Sequence, residues 1–123
     1  MSTLKNTGSA LTFIQALTHE VGDKTMPIQQ AVLLLTLFVH GEMSQADLLD
    51  HTGVSDSSIS RNINKLGQGE TKYSSDGPGL VERVEDQMDR RAQRVRLTPK
   101  GRASVEKAAA RAWPVTQSEK APS

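Results

Sequence analysis

Residues 80–97 read LVERVEDQMDRRAQRVRL, two short alternating runs joined by a polar stretch that ends in Asp89, Arg90 and Arg91. In the second run Val95 and Leu97 share one face and Arg94 and Arg96 the other, the period-two pattern of a half-buried strand. A hairpin with one apolar face and a charged tip cannot stand alone in water. The remainder of the chain must supply a body for that face, and the arginines on the other face must have something to meet.

That body reads as helical. Residues 1–8 form a loose start, and Ser9 can cap a helix in which Leu11, Ile14, Leu17 and Val21 recur at helical spacing until Gly22 and Asp23 stop it. Pro27 suits the first turn of a second helix, Ile28 to His40, whose almost wholly apolar character makes it the core helix. Gly41 supplies its left-handed cap, and Glu42 and Met43 bridge to the next element. Ser44 with Asp47 resembles a capping box opening a short helix from Gln45 to about His51, with Leu48 and Leu49 inward. After a turn at Thr52 to Val54, Ser55 or Asp56 caps a further helix in which Ile59, Ile63 and Leu66 make one buried stripe. Residues 68–79 are rich in glycine and serine and read as a flexible loop. Beyond the hairpin, Thr98 and Pro99 start a last helix that ends at Pro114, leaving 115–123 as a disordered tail. The organisation is thus one domain over 9–114, mostly α with a small β-hairpin (α+β).

Composition narrows the function. A chain of 123 residues holds one modest core and no second catalytic domain. Only Phe13, Phe38, Tyr73 and Trp113 are aromatic, so the core is aliphatic. The absence of cysteine removes disulfides, thiolate metal sites and thiol nucleophiles together. No signal-peptide pattern opens the chain, and its longest apolar run, Ala31 to Val39, is too short to span a bilayer, so a cytoplasmic protein with no membrane partner is expected. The net charge of +1 conceals an asymmetry, since residues 1–60 carry −4 and residues 61–123 carry +5. Seven basic residues against three acidic ones fall within 83–102, a concentration that points to a polyanionic partner.

With Ile59 inward, Ser57, Arg61 and Asn64 point outward, flanked by Ser58, Ser60 and Lys65. These are side chains that can read base edges in a major groove, and the order helix, helix, glycine turn, helix, hairpin is that of a helix-turn-helix with a wing. The segments SQADLLDHTGVSDSSISRNINKL and GLVERVEDQMDRRAQRVRLTPKGRA, about 48 residues together, resemble the MarR family of winged-helix transcriptional regulators. Asp-Arg-Arg followed by Leu-Thr-x-x-Gly is the most specific part of the match. The resemblance implies that the 55–66 helix lies in the major groove of double-stranded DNA and the wing, 80–97, in the flanking minor groove. It also implies that Arg91 probes the minor groove, that Asp89 orients the wing, and that Arg90, Arg94 and Arg96 serve phosphates.

Two departures from the family bear on the expectation. Thirteen residues separate Leu66 from Leu80 where the family has a few, so the offset of the wing depends on that loop. The family also continues into a long final helix that helps build the dimer and roofs an effector pocket, whereas here the helix breaks at Pro114. A short variant is expected, forming a homodimer through its N- and C-terminal helices, with Trp113 either anchoring that dimer or packing onto its own domain, and a small-molecule effector stays open. No catalytic set emerges, because His19, His40 and His51 sit at helix ends without metal-ligand spacing, Glu85, Asp86 and Asp89 lie among arginines, and Ser57, Ser58 and Ser60 lack a base. Neither enzyme activity nor a cofactor is expected. The leading expectation is a sequence-specific dimeric repressor; the rivals are an architectural DNA-coating protein of a mobile element and a protein-interaction adaptor.

Overall fold

The computed structural model describes residues 2–67, 77–85, 88 and 93–114. The chain divides into two compact units, one of residues 26–102 and one of residues 1–25 with 103–123.

The unit of residues 26–102 begins with Pro27, whose carbonyl accepts from the amides of Gln30 and Ala31 and so starts helix α2, Ile28–His40. This helix buries Ala31, Leu33, Leu34 and Leu37 on one face and leaves Ile28, Val32 and Val39 exposed on the other. At Gly41 φ reaches +83° with ψ at −165°, so the cap is not the left-handed one expected but an extended positive-φ conformation open to glycine, and its amide closes on the Leu37 carbonyl. The chain then does more than bridge. Met43–Ser44 forms a short strand, β1, in a three-stranded antiparallel sheet with β2, Val81–Glu85, and β3, Gln93–Leu97, in the order β1-β3-β2. Met43 and Arg83 both pair with Val95, which is fully buried.

Helix α3, Gln45–Thr52, is capped by Ser44, whose Oγ accepts from the Asp47 amide at 3.1 Å. Gly53 ends it in the left-handed conformation, φ +70°, and the turn leads into α4, Asp56–Leu66, capped by Ser55. Ile59, Ile63 and Leu66 are buried as their spacing predicts, and Leu48 faces inward from α3 while Leu49 is only half-buried. Burial of each such side chain stabilises by roughly 1.5–3 kcal/mol, which fixes the rotation of α4 about its own axis.

The base of the wing is held on both sides. The Leu80 amide donates to the Leu66 carbonyl at 2.7 Å and the Gly79 amide to that of Gly67 at 2.9 Å. The two ends of the intervening loop are thereby joined, and the wing emerges directly beside the end of α4. Further along, Thr98 donates from its amide to the Leu80 carbonyl and from Oγ1 to the Gly79 carbonyl, while its Oγ1 accepts from the Gly101 amide at the start of α5, Pro99–Ala112. A Cβ at Gly101 would stand 2.0 Å from the Leu80 carbonyl oxygen, so only glycine permits this approach. Leu-Thr-x-x-Gly is thus a clasp that closes the root of the hairpin onto the first turn of α5.

In the other unit, helix α1 spans Ser2–Val21 and starts seven residues before the expected cap at Ser9. The residues from Ser2 to Gly8 carry helix penalties of at most about 1 kcal/mol each, and once a nucleus exists extension is inexpensive. Its buried face also differs from expectation. Phe13, Ala16 and Leu17 are buried, whereas Leu11 and Ile14 are exposed together with Leu4. Two apolar sets overlap at Leu17, and Phe13 prevails because it has an aromatic partner: its ring lies 5.5 Å from that of Trp113, tilted 42°. Of the two roles open to Trp113, the ring contact with Phe13 is packing within its own unit, and the residue is half-exposed. Val105, Ala108 and Ala112 of α5 are buried, and the helix ends ahead of Pro114. The expected tail, 115–123, lies outside the described residues. Among the described residues no helix is long and apolar enough to cross a membrane.

Candidate nucleic-acid interface

Helix α4 presents a polar stripe opposite its buried one. Ser57 and Arg61 are exposed, Arg61 with no partner among the described residues, and Asn64 follows on the same side, half-buried. The flanking serines are occupied locally. The Ser55 hydroxyl donates to that of Ser58 at 3.0 Å, and Ser60 Oγ accepts from Gln45 Nε2 at 3.1 Å. Lys65 is half-buried near the helix end.

What orients this helix comes from its neighbours. Gln45, at the first position of α3, also donates to Asp56 Oδ1 at 3.0 Å, fixing the start of α4 against α3. Asn62 exchanges longer contacts of 3.4 Å with Gln29 and the buried Gln30 of α2. From the sheet, Arg83 of β2 donates through Nη1 to Asn64 Oδ1 and through Nη2 to the Ser60 carbonyl. Burial pushes the Arg83 pKa down through desolvation, and its hydrogen bonds to two carbonyl oxygens are those a partly desolvated guanidinium requires. Gln45 and Arg83 were not among the site residues expected from sequence. Arg83 reads there as one more member of a basic run, and Gln45 as an ordinary helix residue.

The opposite face of the sheet holds Arg94 and Arg96, expected to serve phosphates. Arg94 Nε lies 2.8 Å from Glu42 and Arg96 Nε 2.9 Å from Glu82, with a longer Arg96–Glu42 approach of 3.9 Å. These side chains are partly solvated, so each pair contributes at most about 1 kcal/mol and is easily exchanged. Asp89, Arg90 and Arg91, assigned to the wing tip, lie outside the described residues. No group of three or more His, Asp or Glu side chains among the described residues could hold a metal ion. His40 and His51, at the ends of α2 and α3, meet with ring centroids 4.5 Å apart and planes tilted by 32°.

Comparison with known proteins fits this geometry. Residues 27–101 match the sequence profile of the winged helix DNA-binding domain. No curated protein matches the chain significantly. Among solved structures, the chain resembles RV1404 from Mycobacterium tuberculosis at 26% identity and a TM-score of 0.68, covering 90% of this chain and 66% of that one. It also resembles the PcaV transcriptional regulator from Streptomyces coelicolor, solved with its natural ligand, at 22% identity and a TM-score of 0.59, covering 77% and 61%. A third similar fold is a mutant MarR from E. coli complexed with operator DNA, at 18% identity and a TM-score of 0.62, covering 85% and 69%. The chain therefore spans about two-thirds of the length of these proteins. With the profile covering more than half of its residues, the chain belongs to the winged helix DNA-binding domain family.

Proposed function

We propose that this protein is a sequence-specific regulator of transcription that binds double-stranded DNA as a homodimer and represses by occupying a promoter. The observation that carries the proposal is the stripe of Ser57, Arg61 and Asn64 on a helix whose rotation is set by Ile59, Ile63 and Leu66 and whose tilt is set by Gln45 and Arg83. In this reading α4 lies in the major groove, Arg61 reads a base edge, and Ser57 and Ser58 approach the backbone near the helix start. The wing follows into the flanking minor groove, with Arg91 as its probe, Asp89 orienting the tip and Arg90 on a phosphate. Arg94 and Arg96 reach phosphates by exchanging their carboxylate partners. The operator complex of a structurally similar MarR protein lends the docking support.

Dimerisation is supported by the exposed apolar residues Leu4, Leu11 and Ile14 along α1 and by the half-exposed Trp113, a pattern that marks an interaction face more often than a solvated one. Sedimentation of the wild-type chain and of a Leu11→Asp, Ile14→Asp double variant tests this: a dimer for the first and a monomer for the second are expected, and a wild-type monomer contradicts it. Selection from random duplexes tests the function itself. The expected outcome is a pseudo-palindromic consensus with half-sites about one helical turn apart. Absence of enrichment would leave the DNA-coating alternative standing.

A further inference from the structure

Resting on that DNA-reading proposal, we infer that Arg83 is a positioning residue that locks the wing to the recognition helix and, by holding the Asn64 carbonyl, makes Asn64 meet DNA as a hydrogen-bond donor. A guanidinium carries only donors, so the atom of the Asn64 amide that faces Nη1 must be Oδ1, whatever the ambiguity of amide assignment elsewhere. Asn64 Nδ2 is then the group left to donate, with no partner among the described residues. An asparagine that reads adenine in the usual way uses both its carbonyl and its amino group on one base. Asn64 has engaged its carbonyl, so an acceptor is its natural counterpart: a purine N7 or a carbonyl oxygen in the groove, or a phosphate oxygen at its edge.

The second arm of Arg83 reaches the Ser60 carbonyl at 3.4 Å, one turn earlier on α4. Two points of attachment on the helix resist both sliding and rotation of β2 against it. Arg83 also sits opposite the fully buried Val95, so its strand cannot shift without disturbing the core of the sheet. Strand β2 and α4 are therefore held together at two points.

Two measurements decide the matter together. In equilibrium unfolding, Arg83→Met, Asn64→Ala and the double variant should be non-additive, with the unfolding constants of the single variants overestimating the double by about fivefold; additivity would overturn the contact. In binding, affinities for the selected duplex and for a scrambled one are compared across salt concentrations. Arg83→Met should lower the selected-to-scrambled ratio about tenfold and leave the salt slope of scrambled binding unchanged. A slope lower by about one would instead make Arg83 a direct phosphate ligand, and an unchanged ratio would remove its positioning role. Arg83→Lys, which keeps the charge but lacks the rigid two-armed fork of the guanidinium, should fall between wild type and Met in ratio and keeps the test open should the Met variant not fold. Asn64→Asp preserves the acceptor for Arg83 and deletes the donors, so it should stay folded and lose the ratio; retention of the ratio would overturn the donor assignment. A wild-type protein with no preference for any duplex would sink the proposed function, while the unfolding cycle would still judge the Arg83 contact.

Discussion

The two faces of the small sheet carry arginines in opposite circumstances. Arg83, on the face toward α4, is partly buried and holds neutral carbonyl oxygens of that helix, whereas Arg94 and Arg96, on the other face, are partly solvated and matched to Glu42 and Glu82. A partly desolvated guanidinium with directed partners fixes geometry; a solvated one with carboxylate partners is a reserve of charge that another anion can claim. The sequence presents all three as one basic cluster, and the fold separates a structural role from an electrostatic one.

The strongest disruption of this arrangement is at the root both faces share. Gly101→Ala forces a Cβ into the Leu80 carbonyl and should cost about 3 kcal/mol or more in unfolding free energy by urea titration, with loss of DNA binding in consequence. A near-neutral outcome would mean that the clasp does not hold the wing. Next in size, Arg61→Ala leaves both faces intact and removes the exposed arginine proposed to read a base; it should cost about 1–3 kcal/mol at the selected duplex and much less at a scrambled one in anisotropy titrations. Equal losses on both duplexes would place Arg61 on the backbone instead.

Smaller effects separate the outer face further. Glu42→Gln removes the carboxylate shared by Arg94 and Arg96. Stability should change by less than about 1 kcal/mol, while binding to any duplex strengthens and its salt slope steepens by up to about one. If binding is untouched, the outer face does not approach DNA. Smallest of all is the loop between Gly67 and Gly79. Its ends are joined by backbone hydrogen bonds, so deleting residues 70–75 should alter stability by less than about 1 kcal/mol, the entropy of closing a shorter loop, and leave selected-duplex affinity unchanged.

Much of the frame was legible in the residues. The stripe of Ile59, Ile63 and Leu66, the caps at Ser44 and Ser55 and the alternation around Val95 each follow from local periodicity or local hydrogen bonding, and each is present in the fold. What escaped depends on partners distant in the chain. Strand β1 has two residues, too few for any period, and exists because Val95 pairs with Met43. The phase of α1 could not be chosen between two overlapping apolar sets without Trp113, 100 residues after Phe13. Glu42 and Arg94 are 52 positions apart, and nothing in the run 83–96 distinguishes Arg83 as the inward member. The glycine of Leu-Thr-x-x-Gly was visible as a pattern, but its reason is the Leu80 carbonyl pressed against it.

The central claim is that α4, aimed by Gln45 and Arg83, discriminates between DNA sequences. It is tested most directly by the ratio of affinities of the wild-type chain for its selected duplex and for a scrambled duplex of the same length, at one stated salt concentration. A ratio of about a thousand or more is predicted, in the range of specific DNA readers, together with its collapse in Arg61→Ala. Equal affinity for the two duplexes, with both falling alike as salt rises, would contradict the claim.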